Sequence, residues 1–268
     1  MMHRLTQQQK QAALLAKNDL EPSRFLPPVH KWGSALPPLP HNTPVAIKRV
    51  CKQRTSKEKF LQEVAILNHV SDNDSVLHVT EAFETNDAYV LVTELVAGGE
   101  LYDYLVTRGL FKEHRAQELT REITTALNIL LSDEENSNNV CLIDFGLAFR
   151  EDHAEERACA VSSGVGTTAY AAPEYIQKQT CGSAIDMWAF GVVLYVMLCG
   201  RHPFDPTDNA SDDEMKVRIL AGDFDRDSSE WKRLSAGARD LIQRLLVVDP
   251  QARITATEVL QHKWMQCA

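Results

Sequence analysis

Between Val45 and Leu95 the chain alternates apolar and polar residues in short β-branched runs; beyond the glycine pair Gly98–Gly99 the apolar spacing turns helical and stays so. VAIKRV from Val45, Val76 to Phe83 and Ala88 to Leu95 read as strands, with KEKFLQEVAILNHV (Lys57 to Val70) between them at helical spacing through Phe60, Leu61, Val64, Ile66 and Leu67. Helical patterns follow at Glu100 to Thr107, Glu113 to Leu127, Ala184 to Cys199, Asp213 to Leu220, Ala236 to Val247 and Ala256 to His262. Strands first and helices later predict an α+β, bilobal architecture: a small β-rich lobe, a larger helical lobe and a cleft between them. The chain ahead of Val45 is different. Arg4 to Asn18 is rich in helix formers, and Pro27 to Pro44 holds six of the eleven prolines, so it reads as an extended linker rather than a polyproline ligand. The expected divisions are therefore 1–44, an N-terminal extension; 45–97, a partial small lobe and its hinge; and 98–268, the large lobe.

Composition narrows the function classes. A formal charge of −9 is the wrong sign for a nucleic-acid binder that neutralises phosphates. The longest nearly apolar run, Met187 to Cys199, is about 13 residues, short of the roughly 18–20 that cross a bilayer, so no membrane span is expected. The six cysteines form no C-x-x-C pair, and the opening MMHRLTQQQKQ has no apolar signal core. Reduced thiols and a cytoplasmic protein are the expectation, with no zinc site.

Individually the chemical signals are slight: a strand lysine in VAIK (Val45 to Lys48), a DFG triplet (Asp144 to Gly146), an A-P-E triplet (Ala172 to Glu174). Their order and spacing carry more weight. VAIK is followed fifteen residues after its lysine by Glu63 on a helix, then by LVTELVAGGEL, DFGLA, GTTAYAAPE and SAIDMWAFGVVLYVMLCGRHPF. That ordered set resembles the protein kinase family. GTTAYAAPE is similar to the serine/threonine pattern, and ELVAGGELYDYL and the segment from Gly222 to Met265 resemble the calcium/calmodulin-dependent group.

The resemblance implies ATP and Mg²⁺ as cofactors and serine or threonine hydroxyls of a protein as acceptor, with the roles falling on particular residues. Lys48 would hold the α- and β-phosphates, and Glu63 would fix Lys48. Asp144 would bind one magnesium ion and Asn128 a second. Ala46 and Leu130 would enclose adenine with Thr93 behind it, while backbone groups of Glu94 and Val96 meet the base edge. Glu100 resembles the acid that accepts a substrate arginine, although a solvated helix start accounts for it equally. Glu174 and Arg253 would form a buried ion pair, and Asp186 would open the apolar helix with backbone partners.

Two departures cut against full activity. The catalytic loop H-R-D-L-x-x-x-N is absent: REITTAL (Arg121 to Leu127) runs straight into NILLSDEENSNNVCLIDFGLA. Roughly sixteen residues are missing at the Leu127–Asn128 join, among them the aspartate that accepts the hydroxyl proton. Thr167, its partner in relatives, and Asp186 would be left without partners, and a phosphate on Ser162 or Ser163 would lack its docking arginine. No G-x-G-x-x-G precedes VAIK either; Gly33 is the only glycine before Lys48. The flanking sequence stays kinase-like up to both gaps, which implies removal of whole segments, by alternative splicing or in the reading of the gene, rather than gradual drift. The expectation is a serine/threonine kinase lineage with impaired transfer, or an inactive pseudokinase acting as scaffold or decoy, with the Leu127 to Leu131 region the most distorted. Nothing in the sequence fixes the oligomeric state.

Overall fold

The computed structural model describes residues 44–73, 75–96, 101–129, 141–149, 168–179 and 182–266. They divide into two compact units: one carries the strands, the helix between them and residues 141–148, the other the helices from residue 101 onward. The extension before residue 44, with its expected helix and linker, lies outside the described residues.

In the first unit, β1 (Val45–Cys51), β2 (Val79–Glu84) and β3 (Ala88–Glu94) form an antiparallel sheet in the order β1-β3-β2. Only three residues separate β2 from β3, and Thr85 N–H donates to Ala88 O at 2.8 Å to close the hairpin. The register sets Lys48 opposite Leu91 and Ala46 opposite Thr93. Val76, expected to begin the second strand, precedes it and instead pairs in parallel with Leu142. Leu142 N–H donates to Ser75 O at 2.7 Å and Leu77 N–H to Leu142 O at 3.1 Å. These bonds fasten residues 141–148 to the strand unit, although the sequence boundaries put them with the helical part.

Helix α1 (Lys57–His69) starts at Ser56, whose side chain accepts from Lys59 N–H. Its apolar face, Phe60, Val64, Ile66 and Leu67, is buried with Val79, Tyr89, Leu91 and Phe145, and Phe60 stacks on Tyr89 with ring centroids 5.1 Å apart. Glu63 is buried on the same helix. A carboxylate on such a face needs a charged partner.

The helical unit comprises α2 (Leu101–Arg108), α3 (Glu113–Ile129), a 3₁₀ turn at Thr168–Tyr170, α4 (Pro173–Ile176), α5 (Ala184–Cys199), α6 (Asp212–Ala221), α7 (Ser229–Arg233), α8 (Ala236–Leu245), α9 (Ala256–Gln261) and α10 (Lys263–Gln266). Helix α5 is the apolar run of the sequence, and Trp188, Leu194, Tyr195 and Met197 on it are fully buried. Such all-round apolarity belongs to a central helix. None of the described helices is long and apolar enough to cross a membrane. Reciprocal capping boxes, Ser211 with Glu214 and Thr255 with Glu258, open α6 and α9. The three short helices α4, α7 and α10 escaped the sequence reading because one turn displays no periodicity.

The join is the main correction. Rather than distorting at Leu127, where the helical pattern was expected to end, α3 continues unbroken through Asn128 and Ile129. Ala126 and Leu127 are strong helix formers, and each added residue gains a backbone hydrogen bond without a new nucleation cost. Leu130 and Leu131 lie outside the described residues.

Candidate functional site

Three charged side chains from three separate segments meet in the first unit. Lys48 on β1 extends its Nζ to within 2.7 Å of Glu63 Oε1 on α1 and 2.7 Å of Asp144 Oδ1. The pairing is asymmetric in burial: Glu63 has 7% of its side chain exposed, Lys48 40% and Asp144 72%. Glu63 thus anchors the ammonium from inside, and Asp144 presents its carboxylate outward. Desolvation pushes the Asp144 carboxyl up, but the hydrogen bond and charge of Lys48 outweigh it and hold the group below the usual carboxylate range. Desolvation likewise pulls Lys48 down, and Asp144 and Glu63 together raise it above the ordinary lysine value. Both groups are ionised at neutral pH.

The backbone at Asp144 is held in a tense form. Its φ is 67°, in the left-handed region that costs a non-glycine residue about 1–2 kcal/mol. The next residue, Phe145, is buried in the core of the unit. The kink lets consecutive side chains take opposite tasks, one packing inward and one facing Lys48. Gly146 follows, and a Cβ there would lie 3.2 Å from Asp144 Oδ1 and 3.5 Å from both Glu63 Oε2 and Lys48 Nζ. Only a residue without a side chain leaves the cluster uncrowded.

A hard divalent cation fits this donor set. Among the described residues no group of three or more His, Cys, Asp or Glu side chains gathers into a cage. Magnesium needs none, because it keeps several waters and is held by one or two carboxylates together with substrate phosphates. Asp144 offers one exposed carboxylate, and among the described residues no hydrogen bond reaches its Oδ2.

The remaining predicted residues fall in different places. Ala46 and Thr93 face each other across β1 and β3, and Thr93 is buried, with its hydroxyl donating to Glu94 O at 3.2 Å. Glu94 N–H donates to His78 O at 3.1 Å, so that backbone donor is already engaged. Val96 is exposed. Asn128 sits in the last turn of α3, in the helical unit; its side chain, and Glu100, Leu130, Thr167, Ser162 and Ser163, lie outside the described residues.

Glu174 and Arg253 do form the expected buried pair, at 2.7 and 3.0 Å. Asp186 corrects an expectation: in the first turn of α5, where the helix field favours a carboxylate, it is not without partners. Orphaned polar atoms lie elsewhere. Among the described residues, the hydroxyls of Thr120 and Thr124 on α3 and Trp188 Nε1 on α5 are buried and find no hydrogen-bond partner.

Two contacts escaped the sequence reading. The Glu94 carboxylate accepts from His78 N–H at 2.9 Å and lies 2.7 Å from His78 Nδ1. Gln62, next to Glu63, donates from Nε2 to Ala148 O at 3.3 Å. A glutamine beside the helix glutamate was the only available cue, and its partner lies 86 positions away.

Known proteins share this arrangement of segments. The protein kinase domain family matches residues 39–265. A calcium/calmodulin-dependent protein kinase type 1 of Caenorhabditis elegans is 29% identical over 238 residues, covering 82% of this chain and 66% of the relative. Calcium-dependent protein kinase 3 of Oryza sativa subsp. japonica is 34% identical over 237 residues, covering 82% of this chain and 42% of its own length. The chain thus spans less than two thirds of either relative. Among solved structures, Rad53 1–466 in complex with AMP-PNP aligns with a TM-score of 0.66 at 30% identity, over 82% of this chain and 58% of that one.

Proposed function

Because the chain belongs to the protein kinase family, in its calcium/calmodulin-dependent serine/threonine group, we propose that it binds ATP with Mg²⁺ through Lys48, Glu63 and Asp144 and transfers the γ-phosphoryl group to protein serine or threonine hydroxyls only feebly. The observation that carries the first half is the double pairing of Lys48 at 2.7 Å. An ammonium held from behind by a buried carboxylate is poised to meet phosphate oxygens, and an exposed carboxylate beside it suits a hard cation. The cation supplies charge neutralisation on the phosphates when bound. Lys48 orients them, Glu63 fixes the reach of Lys48, and Thr93, Ala46 and the Glu94 carbonyl border the base, with Leu130 and Val96 assigned there by the family pattern.

The second half rests on the missing loop. Losing a general base lowers a rate by about 10²–10⁴-fold, ~3–5 kcal/mol of barrier. The hydroxyls of Thr120 and Thr124, on the helix that leads to the join, have no hydrogen-bond partner among the described residues, which accords with a segment taken out whole. The same features favour, as a second reading, a pseudokinase that acts as scaffold or decoy. A preference for arginine-containing acceptors through Glu100 and a metal role for Asn128 belong to the proposal. A cytoplasmic place of action also belongs to it; the free thiols Cys51, Cys141 and Cys199 suit a reducing compartment.

The test is transfer of labelled γ-phosphate from Mg-ATP to an arginine-containing serine peptide, with Lys48→Met as control. Turnover below about 0.1 s⁻¹ is expected, against the 1–100 s⁻¹ usual for kinases. Turnover within that usual range, abolished by Lys48→Met, would overturn the impairment.

A further inference from the structure

Asp144 does not hold its own position. Residues 144–148 form a short bent segment pinned at three points, two of them on α1. At its start, Asp144 is tied through Lys48 to Glu63. In the middle, Phe145 is buried in the same core cluster as Phe60, Val64 and Leu67 of α1. At its end, Gln62 Nε2 donates to Ala148 O, and Ala148 N–H closes the bend by donating to Phe145 O at 3.0 Å. The intervening Leu147 is 56% exposed and contributes little packing. With a left-handed φ at Asp144, the segment relaxes toward ordinary backbone unless its far end is restrained. Among the described residues, Gln62 is the side chain bonded to that end.

We infer that Gln62 is a positioning residue: by holding the Ala148 carbonyl to α1 it keeps the Asp144 carboxylate in the orientation that accepts the nucleotide-bound cation. This rests on the proposed ATP and Mg²⁺ binding and deepens it. It makes a distinct demand. Nucleotide affinity in the presence of the cation should depend on a hydrogen-bond donor at position 62, whereas affinity without the cation, which reports Lys48, should not.

The experiment uses the full 268-residue chain and measures the shift in unfolding midpoint against ATP concentration, with Mg²⁺ and with EDTA. Gln62→Met keeps length and helix propensity but cannot donate; Gln62→Lys restores a donor of similar reach. The expected result is a two- to tenfold loss of apparent affinity for Mg-ATP in Gln62→Met, the scale of one hydrogen bond. Affinity in EDTA and the ligand-free midpoint stay unchanged, and Gln62→Lys recovers most of the loss. A parallel measurement without nucleotide follows amide exchange at Gly146 and Ala148, expected to quicken in Gln62→Met alone. Equal Mg-ATP affinities in wild type and Gln62→Met, or equal losses with and without Mg²⁺, would overturn the inference. If wild type shows no nucleotide shift, the proposed function falls and amide exchange judges the tether: unchanged exchange in Gln62→Met rejects it.

Discussion

Arg253→Met and Glu174→Gln remove opposite halves of one ion pair and should not cost the same. Both side chains are out of solvent, at 0% and 3% exposure. Arg253 donates to both carboxylate oxygens and also to the carbonyls of Ala184, Val247 and Val248, and its guanidinium lies 5.1 Å from the centre of the Trp188 ring. Among the described residues Glu174 has no other side-chain partner than Arg253. Arg253→Met therefore strands a buried carboxylate and frees three carbonyls, a loss of about 3–5 kcal/mol. Glu174→Gln leaves the guanidinium bonded to those carbonyls and keeps one amide oxygen as acceptor, a loss of roughly 1–2 kcal/mol. At about 2–4 °C per kcal/mol for a chain of this size, the midpoints should fall by about 6–20 °C and 2–8 °C. Urea unfolding followed by tryptophan fluorescence reads both, and the double variant should recover part of the Arg253→Met loss because no charge then stays buried. Equal costs for the two single variants, or a loss under about 1 kcal/mol for Arg253→Met, would refute the reasoning.

Two further outcomes follow from packing and protonation in the helical unit. His202 lies 2.8 Å from Ala169 O through Nε2 and accepts from Phe204 N–H through Nδ1 at 3.2 Å, an arrangement that requires the neutral ring protonated on Nε2. Burial lowers its pKa below the ordinary histidine value, with the Ala169 bond offsetting part of the effect. The unfolded chain therefore takes the proton first: stability is complete above the unfolded pKa of ~6.5 and declines as pH falls from there toward the folded value, and His202→Gln should remove that slope in urea titrations at pH 7.5 and 5.5. Gly191 faces Leu245 and Leu246, where an added Cβ would come within 2.8 and 2.9 Å. Gly191→Ala should destabilise by about 1–3 kcal/mol in urea unfolding, despite the roughly 1 kcal/mol that alanine gains in an isolated helix.

How much of this was legible in the sequence depends on how local each cause is. Lys48, Glu63 and Asp144 were legible because their residue types recur at fixed spacing in a motif set, and the geometry brings them together. Glu174 and Arg253 were legible for the same reason. The continuation of α3 through Asn128 was misread because motif matching placed a break at the join, where local propensity and an existing helix end decide. The grouping of residues 141–148 with the strand unit depends on the bridge of Leu142 to Val76, and no pattern within either segment announces it. His78 with Glu94 and Gln62 with Ala148 are likewise contacts between residues whose neighbours carry no complementary signal.

The central claim is that the phosphate grip persists in a chain that lacks the proton acceptor. It is tested most directly by titrating Mg-ATP into the purified chain and into Lys48→Met while following the unfolding free energy. At about 100 times its Kd, the nucleotide should stabilise wild type by ~2.7 kcal/mol and leave Lys48→Met nearly unmoved. No gain in wild type, or the same gain in both, would contradict the account.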